Sequence, residues 1–216
     1  MFYYFGRKSR VAHKYPRPRF ETVIEPFAGS AAFSLHWKPS KAFLIDRDQR
    51  VVDLWHRLIG MGVEGLKAAE PPKIGSESTD FWHFVSIASK TSSTISKMTV
   101  SEYSNRGWEF GRKIALRELE TAKGFDYVQG DYTDAPDIEA TWFIDPPYQY
   151  PRQGYKFGRL QMDFDRLRDW VMTRRGQVIV CEQAGADWLP FEPFCTQQTT
   201  QATPTKEVIW TRTHWG

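Results

Sequence analysis

An acid, two prolines and an aromatic, Asp145-Pro146-Pro147-Tyr148, close the apolar run Trp142-Phe143-Ile144. The exocyclic amino group of a nucleobase is a poor nucleophile, because its lone pair is delocalised into the ring. A carboxylate and a backbone carbonyl accepting its two hydrogens draw the nitrogen towards tetrahedral geometry and free that lone pair. Asp145 and the Pro146 carbonyl are the acceptors of this kind, and Tyr148 can stack on a base drawn out of a helix. The plain alternative is a strand that ends in a surface Pro-Pro turn. Other parts of the chain have to separate the two.

The elements that would position these groups are legible around them. The run Thr141–Ile144 reads as a buried strand, and proline cannot continue a central strand, so Asp145 falls at its C-terminal edge. In an open α/β sheet, ligands bind at that edge. Thr22–Glu25 reads as the first strand, followed by the small-residue turn Pro26-Phe27-Ala28-Gly29-Ser30-Ala31 into a helix. Such a turn lets backbone approach a ligand closely. Ala42–Ile45 is a second strand that ends in Asp46, the place of an acid that binds ribose hydroxyls. Asp48 reads instead as the cap of a helix over Gln49–Gly60. Tyr127–Gln129 is a strand closed by Gly130-Asp131, which brings Asp131 to the same edge. Helical spacing of Phe164, Leu167, Trp170 and Val171 predicts a helix over 164–174, and Gln177–Cys181 and Lys206–Thr211 read as strands. Strand, small-residue turn, helix, strand and acid make a nucleoside-binding half-fold.

Composition bounds the rest. A chain of 216 residues is one domain of ordinary size with room for a core. Nine Trp, nine Tyr and fifteen Phe argue against disorder and supply aromatic faces for stacking. A net charge of +3 is compatible with a polyanionic partner. Two distant cysteines suggest a reducing compartment and no cysteine-built metal site, and none of the five histidines forms a ligand pair. With no apolar run of membrane-spanning length and no signal-peptide core, the expected location is cytoplasmic. Six basic residues (Arg7, Lys8, Arg10, Lys14, Arg17, Arg19) precede the first acid, Glu21. They form either a solvated face or a surface for phosphates, with Phe5-Gly6-Arg7-Lys8 helping to hold an anionic group.

Between residues 57 and 123 glycines, prolines and a Ser/Thr-rich stretch break the α/β rhythm, and this region is expected to be an inserted recognition element. Helices are predicted over Phe81–Ala88 and Lys113–Ala122, with a loop over Asn105–Lys113 between them. In that loop Arg106, Trp108, Arg112 and Lys113 suit reading base edges or holding phosphates; an ordinary connector is the other reading. Residues 149–159 form a second loop, with Arg152 and Lys156 placed to close over substrate or grip a strand backbone. The catalytic domain is then 1–56 with 124–216.

Five pieces in order, Phe5-Gly6-Arg7-Lys8, Pro26–Ala31, Ile45-Asp46-Arg47-Asp48, Gly130-Asp131 and Asp145–Tyr148, make the sequence resemble the Dam-type DNA adenine methyltransferases. The resemblance implies an α/β, Rossmann-like methyltransferase fold with a mostly parallel mixed sheet, and S-adenosyl-L-methionine as cofactor. It implies that Phe27 and Gly29 line the cofactor, Asp46 binds its ribose and Asp131 contacts its adenine end. Tyr4, Gly6 and Lys8 would surround its methionine portion. Asp145 and Pro146 would hold the target amino group, with Tyr148 stacked on the flipped base. Arg7 stands where the family has a small residue, and Ala31 where it has a second glycine. The implied partner is DNA, duplex before single strand, met by a monomer without a metal ion. RNA adenine and a catalytically silent nucleic-acid-binding protein are the alternatives. A cytosine ring-carbon methyltransferase needs a cysteine after a proline, which neither Cys181 nor Cys195 provides.

Overall fold

In the computed structural model the residues described are 8–77, 79–85, 99–150, 162–197 and 205–213. Seven strands form one sheet: β1 (Thr22–Glu25), β2 (Lys41–Asp46), β3 (Phe125–Gln129), β4 (Ala140–Ile144), β5 (Gly176–Gln183), β6 (Glu192–Gln197) and β7 (Thr205–Thr213). Their order is β3-β2-β1-β4-β5-β7-β6. The first five run parallel, while β7 pairs antiparallel with both β5 and β6. This is the mostly parallel, mixed α/β sheet of Rossmann-like type expected from the sequence. Strand order reverses between β1 and β4, the point at which such sheets open a ligand crevice.

The helices are α1 (Ala32–Trp37), α2 (Gln49–Ala68, broken at Gly62), α3 (Asp80–Val85), α4 (Glu102–Ala122) and α5 (Phe164–Met172). Strand β4 is buried at all five positions, because both faces of the sheet are covered. Leu167 and Val171 of α5 pack with Ile24, Trp142, Ile144, Val178 and Val180 on one face. On the other face, α1, α2 and α4 cover β2 and β3, and Val11, Tyr15 and Phe33 cover Phe143, Ile179 and Cys181. Asp48 caps α2, its carboxylate accepting from the Arg50 amide at 3.1 Å.

One expectation is corrected. Residues 105–113 are not a loop: α4 is continuous from Glu102 to Ala122. Gly111, which reads as a helix breaker, is where α4 meets the end of α3. A Cβ there would lie 1.6 Å from the Val85 carbonyl oxygen, so only glycine permits this approach. Strand β6 was not read from the sequence, which conceals it because it contains Pro193. It lies at the sheet edge with an irregular register at Pro193/Cys195, where a missing N–H costs no ladder bond. As for the region 57–123, its described part packs Leu58, Leu66, Trp82, Trp108 and Leu119 into the same core as Leu44 and Tyr127.

These glycines give a matched pair of expected results. Gly111→Ala should lower stability by roughly 1–3 kcal/mol through overpacking. Gly60→Ala, at an exposed position of α2 where an added Cβ meets nothing within 4 Å, should raise it by about 0.5–1 kcal/mol. Thermal melts of the two variants beside wild type check both signs.

Candidate active site

Because β1 to β4 are parallel, their last residues lie along one edge. Glu25, Asp46, Asp131 and Asp145 therefore end four neighbouring strands or open the turns after them. At the β1 turn, Gly29 adopts φ 47° and Ala31 φ 48°. Ala31 thus holds a left-handed backbone where the resembling family has glycine. The turn is pinned from three directions. The Gly29 amide donates to Asp46 Oδ2 at 2.8 Å, and Trp55 Nε1 donates to the Gly29 carbonyl at 3.0 Å. The buried Glu25 carboxylate accepts from the Ser34 amide at 2.8 Å, satisfying the start of α1.

Asp46 accepts from Gly29 through one oxygen and from the Asp48 amide, at 2.9 Å, through the other. Burial pushes its carboxyl up to about 6, and these two amides hold it back. Each oxygen keeps a further lone pair, which suits a diol. Asp131 caps the short 3-10 turn Tyr132–Asp134 and lies 3.4 Å from Arg47. Phe27 stacks on Tyr132 with ring centroids 5.7 Å apart. The structure thus brings Phe27, Gly29, Asp46 and Asp131 to one sheet edge. A diol acceptor, an aromatic face and a close-packed turn are a donor set that fits an adenosyl group.

The sequence places Tyr148 near Asp145 and expects Lys8 around the methionine portion of a cofactor; the structure instead joins Lys8 to both in one buried network. Lys8 is 3% exposed, with Nζ 2.8 Å from Asp145 Oδ1 and 3.6 Å from Glu207 Oε1. Nζ also donates to the Tyr148 hydroxyl at 2.6 Å, and that hydroxyl lies 3.3 Å from Glu207 Oε1. The Tyr15 hydroxyl donates to Glu207 Oε2 at 2.8 Å. Glu207 on β7 and Tyr15 were not anticipated from sequence; a buried acid in an apolar strand is the one signal that marks Glu207. Lys8 Nζ engages Asp145 Oδ1 at 2.8 Å, while the Asp145 side chain as a whole keeps 19% exposure.

Burial pushes the Asp145 carboxyl up to about 6, with Lys8 pulling it back down. Burial alone would lower the Lys8 ammonium, but Asp145, Tyr148 and Glu207 together hold it well above its ordinary range. Lys8 therefore stays charged and its ion pairs stay intact until the pH is strongly alkaline. Burial also drives the Cys181 thiol up, so this cysteine is no nucleophile.

The residues after the Pro-Pro turn are also fastened. Glu182, fully buried at the end of β5, accepts from the Gln149 amide at 2.7 Å and from Trp188 Nε1 at 3.2 Å. The Gln149 side chain and Asp187 exchange two further bonds, at 2.9 and 3.0 Å.

Other expected site residues are placed differently. Trp108 is buried edge-on to Phe81 and offers no face to a base; the continuous α4 turns it inward. Arg112 bonds the Lys67 and Ala69 carbonyls and Glu109, closing the C-terminal end of α2. Arg106 and Lys113 are exposed. Pro146 is buried, and Tyr148 is only 7% exposed, so stacking on its ring requires a face that this conformation keeps covered. Tyr4, Gly6, Arg152 and Lys156 lie outside the described residues. Among the described residues no cluster of His, Cys, Asp or Glu is arranged to hold a metal ion, and no helix is long and apolar enough to cross a membrane.

Acidity separates the effects of these groups on folding and on chemistry. Glu25, Asp46, Asp145 and Glu182 sit at about 7, 6, 6 and 7, each raised by burial above ordinary values of 3.8 or 4.5. Between the ordinary and the raised values the folded chain holds more protons than the unfolded one. These groups therefore make stability fall as pH rises through that window. The melting temperature should be higher near about pH 5.5 than near about pH 8, a direction that paired melts check.

The chain matches no protein-family model, and no curated protein sequence matches it. Among solved structures, a conserved hypothetical protein of Streptococcus pyogenes aligns over 95% of this chain and 94% of its own, at 10% identity and a TM-score of 0.45. The rRNA methyltransferase aviRa of Streptomyces viridochromogenes aligns over 94% and 80%, at 15% identity and a TM-score of 0.42. A putative methyltransferase of Escherichia coli, yhhF, aligns over 89% and 75%, at 14% identity and a TM-score of 0.35. At these values the likeness carries no residue role and no substrate across to this chain.

Proposed function

We propose that this chain transfers a methyl group from S-adenosylmethionine to the exocyclic amino nitrogen of adenine in DNA. The observation that supports it best is the Asp145 carboxylate, held by Lys8 and 19% exposed beside the Pro146 carbonyl, at the strand-end edge that also carries Asp46 and the Gly29 turn. When bound, the cofactor supplies an activated methyl group on a sulfonium. Asp46 would hold its ribose hydroxyls, Phe27 and Gly29 would line it, and Asp131 would meet its adenine end.

The protein's own part is positioning and polarisation. The Asp145 carboxylate and the Pro146 carbonyl accept the two amino hydrogens of an extruded adenine, which localises the nitrogen lone pair. Asp145 must be ionised for this and takes up the proton the amino group loses. Lys8, shared between Asp145 and Glu207, keeps the carboxylate charged in a buried setting. Glu182 fixes the chain just after Tyr148, so the Pro-Pro turn keeps its place. Stacking of Tyr148 on the base belongs to the same proposal and requires the ring to be uncovered. Residues 57–123 are proposed to contribute to target recognition through Arg106 and Lys113.

Transfer of label from S-adenosylmethionine to unmethylated DNA and to RNA, followed by nucleoside analysis, tests the reading. Methyl-adenine in DNA is the expected product. Label in RNA alone would replace the substrate, and cofactor binding without transfer to either would remove nucleic acid from the proposal. Activity should fall as pH drops through about 6, where Asp145 takes up a proton, even as the melting temperature rises.

A further inference from the structure

We propose that a nucleic-acid backbone docks in the cationic groove between the segment after Lys8, helix α1 and helix α4. The inference rests on the function proposed above and identifies the surface by which the substrate is held. The groove is a cavity of about 380 Å³ whose polar lining is Ser9, His36, Lys38, Arg117, Glu118 and Thr121. Its one acid, Glu118, lies 3.2 Å from Arg117 and is 15% exposed against 74% for the arginine. Arg10, His13 and Lys14, all exposed, belong to the 3-10 turns on its border. His13 and His36 approach to 6.4 Å between ring centroids.

Position gives this charge a meaning beyond solvation. Ser9, which lines the groove, directly follows Lys8 in the chain, and the Lys8 ammonium reaches Asp145. Ala32, at the start of α1 just beyond the Gly29 turn, lines it too, and Lys38 lies where α1 ends. A strand whose base enters the site would therefore carry its phosphates past Ser9 and along α1. The groove continues onto the outer face of α4. There Arg106, Phe110, Lys113 and Arg117 recur at helical spacing and are exposed, while Trp108, Gly111, Ala115 and Leu119 point to the core. Phe110 is 49% exposed on the same face. The neighbouring acids Glu109 and Glu120 are paired with Arg112 and Lys123 and leave this stripe basic. A polyanion of regular charge spacing fits such a stripe.

The test is the salt dependence of binding to a DNA duplex by the full chain. Lys38→Gln with Arg117→Gln removes two charges without touching Lys8, Asp145 or the sheet edge. Arg117 is exposed and its pairing with Glu118 contributes little to stability, so folding should be unaffected. The slope of log affinity against log salt should fall by about two, alike for different sequences. Arg168→Gln, on α5 over the opposite sheet face, should leave it unchanged. Cofactor binding and the melting temperature should match wild type for both. An unchanged slope in a wild-type background that binds and methylates DNA would overturn the groove and leave the function standing. Wild-type protein that neither binds nor methylates nucleic acid would overturn both. Wild-type binding without methylation, together with a reduced slope, would keep the groove and overturn the proposed activity.

Discussion

Asp145→Ala should lose methyl transfer by roughly 10²–10³-fold while keeping cofactor affinity, because it deletes an oriented acceptor used in the reacting geometry. The prediction has a structural counterpart that makes it specific. Lys8 keeps Glu207, 3.6 Å away, and the Tyr148 hydroxyl when Asp145 is removed, so its charge is not left alone. The variant should therefore fold. Asp145→Asn should be nearly as inactive, since its amide presents one acceptor and no charge to draw the amino hydrogens. Single-turnover rates with saturating cofactor, beside a direct binding measurement of labelled cofactor, separate the two effects. Loss of cofactor binding equal to the loss of rate would move Asp145 from the reacting centre to the cofactor pocket.

Lys8→Met should have the opposite balance, with a large loss of stability and a displaced pH profile. Two buried carboxylates, Asp145 and Glu207, lose the cation they share. Breaking a buried pair by removing one partner costs about 3–5 kcal/mol. The carboxyl of Asp145, already at about 6 with Lys8 pulling it down, should rise further. At neutral pH a substantial fraction would be protonated, and the acid limb of the rate profile would shift to higher pH. Activity recovered by raising the pH, in a variant whose melting temperature is lowered, is the signature sought. A purely structural lysine would lower the melting temperature without moving the limb. Tyr148→Phe complements it: the ring remains for stacking while the hydroxyl between Lys8 and Glu207 is removed.

The strands were legible from sequence for one physical reason. A sheet covered on both faces demands continuous apolar runs, and Trp142-Phe143-Ile144 and Val178-Ile179-Val180 are such runs. The edge acids were legible because each ends a run: Asp46 and Asp145 close theirs, and Asp131 follows a glycine. The helix over Lys113–Ala122 was legible too, but its continuation back through residues 105–112 was not, because glycine's two uses look alike in one dimension. Gly111 suggests a break, yet its role is to let the Val85 carbonyl approach. That single misreading also turned Trp108 from a core residue into a candidate DNA contact. The pairing of Tyr15 with Glu207 was beyond local reading, since their hydrogen bond spans 192 positions. Nothing near either residue announces the other, and only the docking of β7 beside β5 brings them together.

That long reach sets a schedule for the chain as it is made. Lys8 and Tyr15 are synthesised early, and their carboxylate partner Glu207 arrives some two hundred residues later. Until β7 has been translated and inserted between β5 and β6, Lys8 and Tyr15 lack Glu207, and the network around Asp145 is incomplete. Contacts of such separation form late and slowly, since loop closure must be paid first. A nascent chain already carrying Asp46 and the Gly29 turn would thus lack the finished network around Asp145, which β7 completes.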